Sequence, residues 1–138
     1  MTNGDDLDFE DDEEREQGPV KAVILGLDGS ATLRIITPNL KGLNDAVGGY
    51  IELVRLDDNT NMYLNEDGKM LNLPVNTAAN RVVAYMNPGL RENDFIVGQV
   101  VLTGVCNADG ESDGYEYDVP ESTVEVCRLI GAPFTSDL

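Results

Sequence analysis

The feature that most constrains the fold is a pair of strand-forming segments joined by a tight turn. Val20–Leu27 (VKAVILGL) is apolar and β-branched, which is typical of a buried strand. Asp28-Gly29 follows, and this dipeptide favours a hairpin turn. Ala31–Thr37 (ATLRIIT) then provides a second strand-forming segment. The folded part of the chain therefore begins with an antiparallel hairpin, which disfavours a fold made only of repeated parallel strand–helix–strand units.

Three further segments are predicted to be strands, and they do not alternate regularly with helices. They are Tyr50–Leu56, Met62–Glu66 and Phe95–Val105, which are rich in apolar, β-branched and aromatic residues. The polar residues 57–61 between the first two indicate a second hairpin. Gly98 lies inside the third segment, where a glycine indicates a bulge or a close approach of another backbone.

The first two predicted helices are recognised by their capping residues and by apolar residues at helical spacing. The first follows Thr37, which is assigned as its N-cap, and Leu40 is placed in its buried stripe. The second covers residues 77–86, with Asn76 or Thr77 as the N-cap. Both helices end at glycine-containing turns.

The last predicted helix covers residues 120–130 and completes the expected fold. Asp118 followed by Glu121 forms a capping-box pattern at its start, and Leu129 is among the residues expected to face inward. Hairpins and isolated helices in this order predict one α+β domain, with a small mixed or antiparallel sheet and two or three helices.

The first 18 residues differ in composition from the rest of the chain. Nine acids against one base give this segment a charge of −8, which leaves −9 of the total of −17 for the remainder. Because Leu7 and Phe9 are its large apolar side chains, the segment cannot bury enough surface to offset the entropy of ordering. We expect a disordered acidic tail over 1–18, a single domain over 19–134 and a C-terminal tail over 135–138.

The negative charge and the absence of histidine restrict the classes of function. A net charge of −17 repels the phosphates of nucleic acids and anionic lipids, so neither direct nucleic-acid binding nor membrane binding is expected. Without histidine, Ser-His-Asp and Cys-His nucleophile systems and ordinary His-containing zinc sites cannot be built. We therefore expect a protein that is not an enzyme and holds no cofactor or metal. No signal peptide is recognisable, which predicts a cytoplasmic location.

Two loops and two cysteines suggest more specific interpretations, namely a phosphate-binding loop, an EF-hand and a disulfide. Gly26–Gly29 follows an apolar strand, but it lacks the Lys-Ser/Thr of a phosphate-binding loop, so a hairpin turn is favoured. Asp109–Gly114 resembles the start of an EF-hand, yet Pro120 stands where the bidentate acid belongs, and a solvated loop is favoured. Cys106 and Cys127 are expected to be thiols, unless the last strand and the last helix pack together there and allow a disulfide.

Four short motifs carry a resemblance to a known family. They are Gly48–Glu52 (GGYIE), Asn65–Lys69 (NEDGK), Leu73–Asn76 (LPVN) and Val97–Gly104 (VGQVVLTG). In this order they resemble the pattern of domain-of-unknown-function family 3846, which is found in bacteria and their bacteriophages. The resemblance implies a setting, that of a phage or mobile-element accessory protein in the cytoplasm of a bacterial host, and it implies no activity.

Polar residues at the ends of predicted elements within these motifs form the candidate binding site. They are Tyr50, Glu52, Asn65, Glu66, Lys69 and Asn76. In the functional interpretation they converge on a shallow site for a ligand or a partner. In the alternative they shape turns, and Lys69 pairs with Glu66 at the surface. Structural roles in turns are expected for Gly48, Gly49, Gly68, Pro74 and Gly98.

The leading hypothesis is a non-catalytic accessory protein that binds a host protein with a basic surface, for example in counter-defence. A second hypothesis is a small-molecule module for a nucleotide-like ligand, which would use Tyr50, Asn65, Lys69 and Asn76. A third is an acidic mimic of DNA. Deleting residues 1–18 separates a mimic built on the domain, which keeps its inhibition, from one that depends on the tail.

Overall fold

The computed structural model describes residues 17–90, 94–105, 115–130 and 133–138. Within these ranges the strands are β1 (Val20–Leu25), β2 (Ala31–Ile36), β3 (Ile51–Asp57), β4 (Thr60–Asn65), β5 (Val100–Val105), β6 (Glu116–Tyr117) and β7 (Phe134–Ser136). The helices are α1 (Leu40–Val47), α2 (Thr77–Met86) and α3 (Glu121–Ile130). A mixed sheet with helices confirms the predicted α+β fold. Of the predicted disordered tail 1–18, residues 1–16 lie outside the described residues, as do Cys106 and the acidic loop 109–114. Gln17 is described, and it is hydrogen-bonded to the backbone of Glu116, which corrects the tail prediction at this residue.

The described strands form one sheet in the order β3-β4-β5-β1-β2-β7, with β6 paired to the end of β5. β1 and β2 pair antiparallel from Val20↔Ile36 to Leu25↔Ala31, which confirms the first predicted hairpin. β3 and β4 pair antiparallel as well and confirm the second. β2 and β7 are parallel, so the sheet is mixed. β3 and β7 stand at the two ends of this order of described strands.

Helices cover both faces of the sheet. Because successive strand residues point to opposite faces, each strand contributes to two separate apolar clusters. Leu25 and Met62 belong to the cluster beneath α2 and α3, which we call the α2/α3 face. Ile24 and Val101 belong to the cluster beneath α1, which we call the α1 face. No helix within the described ranges is long and apolar enough to cross a membrane.

The start of α1 corrects two predictions. Thr37 is not the N-cap, because Asn39 holds that position and its Oδ1 accepts a hydrogen bond from the Gly42 N–H at 2.7 Å. Asparagine is a stronger N-cap than threonine, which explains why the helix begins after Asn39. Leu40 is 65% exposed and not part of the buried stripe. As the first helical residue, it precedes the turn in which Leu43 meets the sheet.

The approach to α3 corrects two more predictions. The Asp118 carboxylate accepts a hydrogen bond from the backbone N–H of Lys21 at 2.8 Å, so it ties the chain to β1 and does not form a capping box. Leu129 is 75% exposed, whereas Val124 and Cys127 are buried. Residues two positions apart on a helix do not face the same side, and Leu129 therefore cannot share the buried stripe with Cys127.

The third predicted strand is shorter than its sequence suggests. β5 begins at Val100, because Gly98 has φ of +81° and breaks the extended backbone before it. Val97 makes an isolated antiparallel bridge with Val75 and holds the preceding segment in place. At the other end of the chain, residues 135 and 136, which the sequence assigns to a C-terminal tail, lie in β7.

Candidate functional site

A shallow groove lies where β3 begins and β4 ends. Its volume is about 220 Å³, and it is bounded by the segment that follows β4 and by residues that precede β5. Its apolar lining consists of Leu64, Met70, Phe95 and Val97. Its polar lining consists of Glu52, Asn65, Glu66, Asp67, Lys69 and Asp94.

The segment after β4 folds into the groove wall through a local turn. Asn65 begins it, because its Oδ1 accepts the N–H of Asp67 at 2.8 Å and its carbonyl accepts the N–H of Gly68 at 3.2 Å. A Cβ at Gly68 would lie 2.8 Å from Cγ2 of Val97, so a larger residue here would require the opposite wall to shift. The NEDGK motif therefore encodes the shape of the groove.

The opposite wall is fixed by backbone pairing with the LPVN motif. The N–H of Gly98 donates to the carbonyl of Pro74 at 2.8 Å, and the N–H of Asn76 donates to the carbonyl of Ile96 at 2.9 Å. These bonds flank the Val75↔Val97 bridge. Both walls are thus anchored to the body of the domain.

Charge in the groove is predominantly negative. The ammonium of Lys69 forms an ion pair with Asp94 and lies 4.7 Å from the centroid of the Phe95 ring. The partner of Lys69 is therefore Asp94 and not Glu66, the partner expected from sequence spacing. Among the described residues of the lining, four carboxylates stand against one base. Such a groove accommodates a cationic side chain with an aliphatic stem better than it accommodates an anion.

The structure brings four of the six predicted site residues together. Glu52, Asn65, Glu66 and Lys69 all line the groove. Asn65 is buried, and its side chain is used internally, because Nδ2 donates to the Val47 carbonyl at 3.2 Å while Oδ1 accepts from the turn. Glu52, Glu66 and Lys69 are exposed at the groove, and Lys69 is engaged in its ion pair with Asp94.

The other two predicted residues lie elsewhere. Asn76 is fully buried as the N-cap of α2, where Oδ1 accepts from the Ala79 N–H at 2.9 Å. Its Nδ2 donates to the carbonyls of Leu25 and Gly98 at 2.9 and 2.8 Å, so the whole amide is engaged. Tyr50 is exposed beside the end of α1, in a separate depression formed with Gly48, Gly49, Asn44 and Asp45.

Sequence reasoning missed the two apolar residues at the mouth of the groove. Met70 is 76% exposed and Phe95 is 50% exposed. Met70-Leu71 is an apolar pair within a polar turn region, which is a signal for an exposed contact surface. Phe95 gave no such signal, because it begins a long apolar run that was assigned wholly to a strand.

A second polar cluster, also missed, lies on the α1 face around Glu116. Tyr63 Oη donates to Glu116 Oε2 at 2.7 Å, Asn61 Nδ2 contacts both carboxylate oxygens at 3.2 and 3.3 Å, and Thr103 donates to Oε1. The side-chain amide of Gln17 holds the backbone of Glu116, because its Nε2 donates to the Glu116 carbonyl and its Oε1 accepts from the Glu116 N–H. Burial, with the hydrogen bond to Glu116, raises the pKa of Tyr63 above its ordinary value. The described neighbours of this carboxylate thus hold it in place.

Groups suited to metal binding or nucleophilic chemistry are not gathered anywhere in the described part of the chain. No cluster of three or more Cys, Asp or Glu side chains there could hold a metal ion. Cys127 is fully buried, and burial raises the pKa of its thiol to about 12. At neutral pH it is therefore a protonated core side chain.

Comparison with known proteins places the groove within a recognised domain. The family model described as domain of unknown function DUF3846 matches residues 20–125, a span that contains every residue of the groove. No curated protein and no solved structure shows a significant match to the chain.

Proposed function

The chain belongs to the DUF3846 family, whose description names no activity, and we propose that the protein is a non-catalytic binding protein whose groove holds a basic segment of a partner protein. The observation that carries the proposal is the exposed pair Met70 and Phe95 enclosed by carboxylates. Contiguous exposed apolar side chains with a polar rim are typical of protein contact sites. Methionine and aromatic side chains are also enriched in such sites.

Electrostatics favour a basic partner. The whole chain has a net charge of −17, and the groove lining adds a local excess of carboxylates. A negative surface attracts a positive one during diffusional encounter and repels acidic competitors. A lysine or arginine of the partner would place its stem against Met70 and Phe95 and its charge near Glu66.

The non-catalytic part of the proposal rests on the chemistry of the side chains. The chain contains no histidine, so the usual general base is missing. In the described part of the chain the thiol of Cys127 is buried and protonated, and the Glu116 carboxylate accepts hydrogen bonds from three side chains. None of these groups is poised to attack or to deprotonate a substrate.

The geometry gives less support to a nucleotide-like ligand. Of the residues that this alternative requires, Asn76 is buried and fully hydrogen-bonded, and Tyr50 lies outside the groove. Lys69, the base of the groove, already pairs with Asp94. Among the described lining residues, an anionic ligand would therefore meet carboxylates without a free cation to offset them.

The biological part of the proposal rests on the setting that the resemblance of the four sequence motifs implies. We place the protein in the cytoplasm of a bacterial host as a phage or mobile-element accessory protein, with a host protein as its partner. Counter-defence is one purpose that such binding would serve.

Site-specific photo-crosslinking in bacterial lysate tests the proposal directly. A benzoyl-phenylalanine introduced at position 70 should capture one or a few host proteins with basic surfaces. The matched control carries the same group at position 129, which is equally exposed but lies on α3. Identical products from positions 70 and 129 would show that the groove has no special role.

Charge reversal provides a second, independent readout. Glu66→Lys should reduce crosslinking from position 70 several-fold, because it places a cation in the groove. Glu125→Lys makes the same change on the exposed face of α3, where only a weak pair with Arg128 at 3.3 Å is lost, and it should leave crosslinking intact. Equal effects of the two substitutions would indicate non-specific attraction to the total charge.

A further inference from the structure

Among the described residues, no strand pairs with the outer edge of β3, which runs beside the groove. Of the described strands, β3 pairs only with β4, and it has seven residues against three in β7 at the other end of the strand order. The N–H of Glu66 donates to the carbonyl of Tyr50, so these two residues form a hydrogen-bonded pair in the register that continues into β3 and β4. In an antiparallel pair, hydrogen-bonded residues alternate with residues whose N–H and C=O point away.

This alternation determines which backbone N–H and C=O groups of β3 point away from β4. Glu52 and Val54 lie in hydrogen-bonded pairs with β4, so the N–H and C=O groups of Ile51, Leu53 and Arg55 point to the free edge. The register shifts after Arg55, and the Leu56 carbonyl accepts a hydrogen bond from the Asn87 side chain at 2.8 Å. With respect to the described residues, the open part of the edge therefore runs from Ile51 to Arg55, which is enough for a short added strand.

We infer that the bound segment of the partner is extended and adds to the sheet as a further strand along β3, so that its backbone pairs with the outward groups of Leu53 and its neighbours. This inference rests on the proposed function and specifies its binding mode, since Glu52 belongs both to β3 and to the groove lining. Pairing of this kind supplies affinity through the backbone and selectivity through alternate side chains.

The two faces of β3 dictate the chemistry of the added strand. Glu52 points to the groove side, so side chains of the added strand on that side meet the carboxylates of the groove and should be basic. Leu53 is 53% exposed on the other side, where the added strand should be apolar. The bound segment is thus one in which Lys or Arg alternates with β-branched residues. A second copy of this chain is disfavoured as the occupant, because both copies carry a net charge of −17.

Titration of a synthetic peptide into the isotope-labelled protein, followed by measurement of amide hydrogen exchange, tests the inference. The probe is a heptapeptide of alternating lysine and valine, and the control peptide has the same composition with the lysines grouped in one block. Binding of the alternating peptide should slow hydrogen exchange of the Leu53 and Arg55 amides about tenfold or more, as new hydrogen bonds form. Exchange of these amides that stays unchanged while the peptide is bound would overturn the inference.

A proline substitution separates the backbone contribution from the charge. Leu53→Pro removes an outward N–H without removing a bond to β4, a position where strands accept proline, and it should weaken peptide binding about tenfold. Leu53→Thr also removes the apolar side chain but keeps the N–H, so it should weaken binding much less than Leu53→Pro does. If Glu66→Lys weakens binding and Leu53→Pro does not, the groove is used without strand addition. If neither substitution weakens peptide binding, the proposed function itself fails. If Leu53→Pro does not fold, the amide exchange of the unmodified chain tests strand addition instead.

Discussion

Substitution of Asn76 should be among the most destabilising changes in this protein. Its side chain is fully buried and makes three hydrogen bonds, to the carbonyls of Leu25 and Gly98 and from the N–H of Ala79. Asn76→Ala removes the N-cap of α2 and leaves these three groups without their partner. A lost N-cap costs about 1 kcal/mol, and each buried group left unsatisfied costs about 1–3 kcal/mol, with incomplete additivity. We therefore expect a loss of about 3–5 kcal/mol in the free energy of unfolding.

Asn76→Asp shows which of the bonds matter. Aspartate is as good an N-cap as asparagine, so a role limited to capping predicts almost no loss of stability. In this site, however, a carboxylate oxygen would replace Nδ2 and face the carbonyl oxygens of Leu25 and Gly98 at under 3 Å. At pH 7 the aspartate variant should therefore be destabilised at least as much as the alanine variant.

Urea unfolding followed by far-UV circular dichroism measures these changes. The midpoint should fall without a large change in slope if the folded states are comparable. Asn59→Ala, in the exposed turn between β3 and β4, is the matched control and should shift the free energy of unfolding by less than about 0.5 kcal/mol. A loss below about 1 kcal/mol for Asn76→Ala, with a loss of partner binding, would refute this reasoning and restore Asn76 as a ligand-binding residue.

Three further predictions concern close packing, reactivity and backbone strain. Gly104→Ala drives a Cβ into the backbone carbonyl of Asp118, so it should lower the free energy of unfolding by more than about 2 kcal/mol in urea titrations, and a loss below 1 kcal/mol would contradict the packing. In a Cys106→Ser background, Cys127 should react with a disulfide reagent only as the protein unfolds, because its thiol is buried and its pKa is raised to about 12. Asn72 has φ of +58°, so Asn72→Ala should cost about 1 kcal/mol while Asn72→Gly should be neutral, and equal melting curves would contradict this.

Signals from adjacent residues predicted most elements of the fold, whereas the pairing of strands that are distant along the chain could not be predicted. The first hairpin and the N-cap of α2 were predictable because Asp28-Gly29 and Asn76 act on adjacent residues. The insertion of β5 between β4 and β1 was not, since nothing in a strand's own sequence specifies its neighbours. β6 and β7 are too short to give a periodic pattern.

The same division holds for the candidate site. Glu66 and Lys69 were predictable as groove residues because one turn places them together with Asn65. The pairing of Lys69 with Asp94 and Phe95 depends on segments that are distant along the chain, and it could not be inferred from spacing. The contact between Tyr63 and Glu116 spans 53 residues and was invisible for the same reason.

That contact gives a prediction about alkaline pH. Burial, and then the hydrogen bond and the charge of Glu116, raise the pKa of Tyr63 in the folded state above the value of about 10 found in unfolded chains. The unfolded chain therefore loses this proton at a lower pH than the folded one. The stabilising contribution is fully present below pH 10 and is lost as the pH rises further, with a slope of up to about 1.4 kcal/mol per pH unit.

Tyr63→Phe isolates this contribution. At pH 7 the variant should lose about 1–3 kcal/mol, because the donor to a charged acceptor is removed. Between pH 10 and 11 the difference from the original protein should shrink, since only the original must keep the buried phenol protonated. Cys127 titrates in both proteins and cancels from the comparison. Parallel pH profiles would mean that Tyr63 ionises in the folded state as easily as in the unfolded chain, and the Glu116 cluster would then be too open to water to hold the sheet and the β6 segment together.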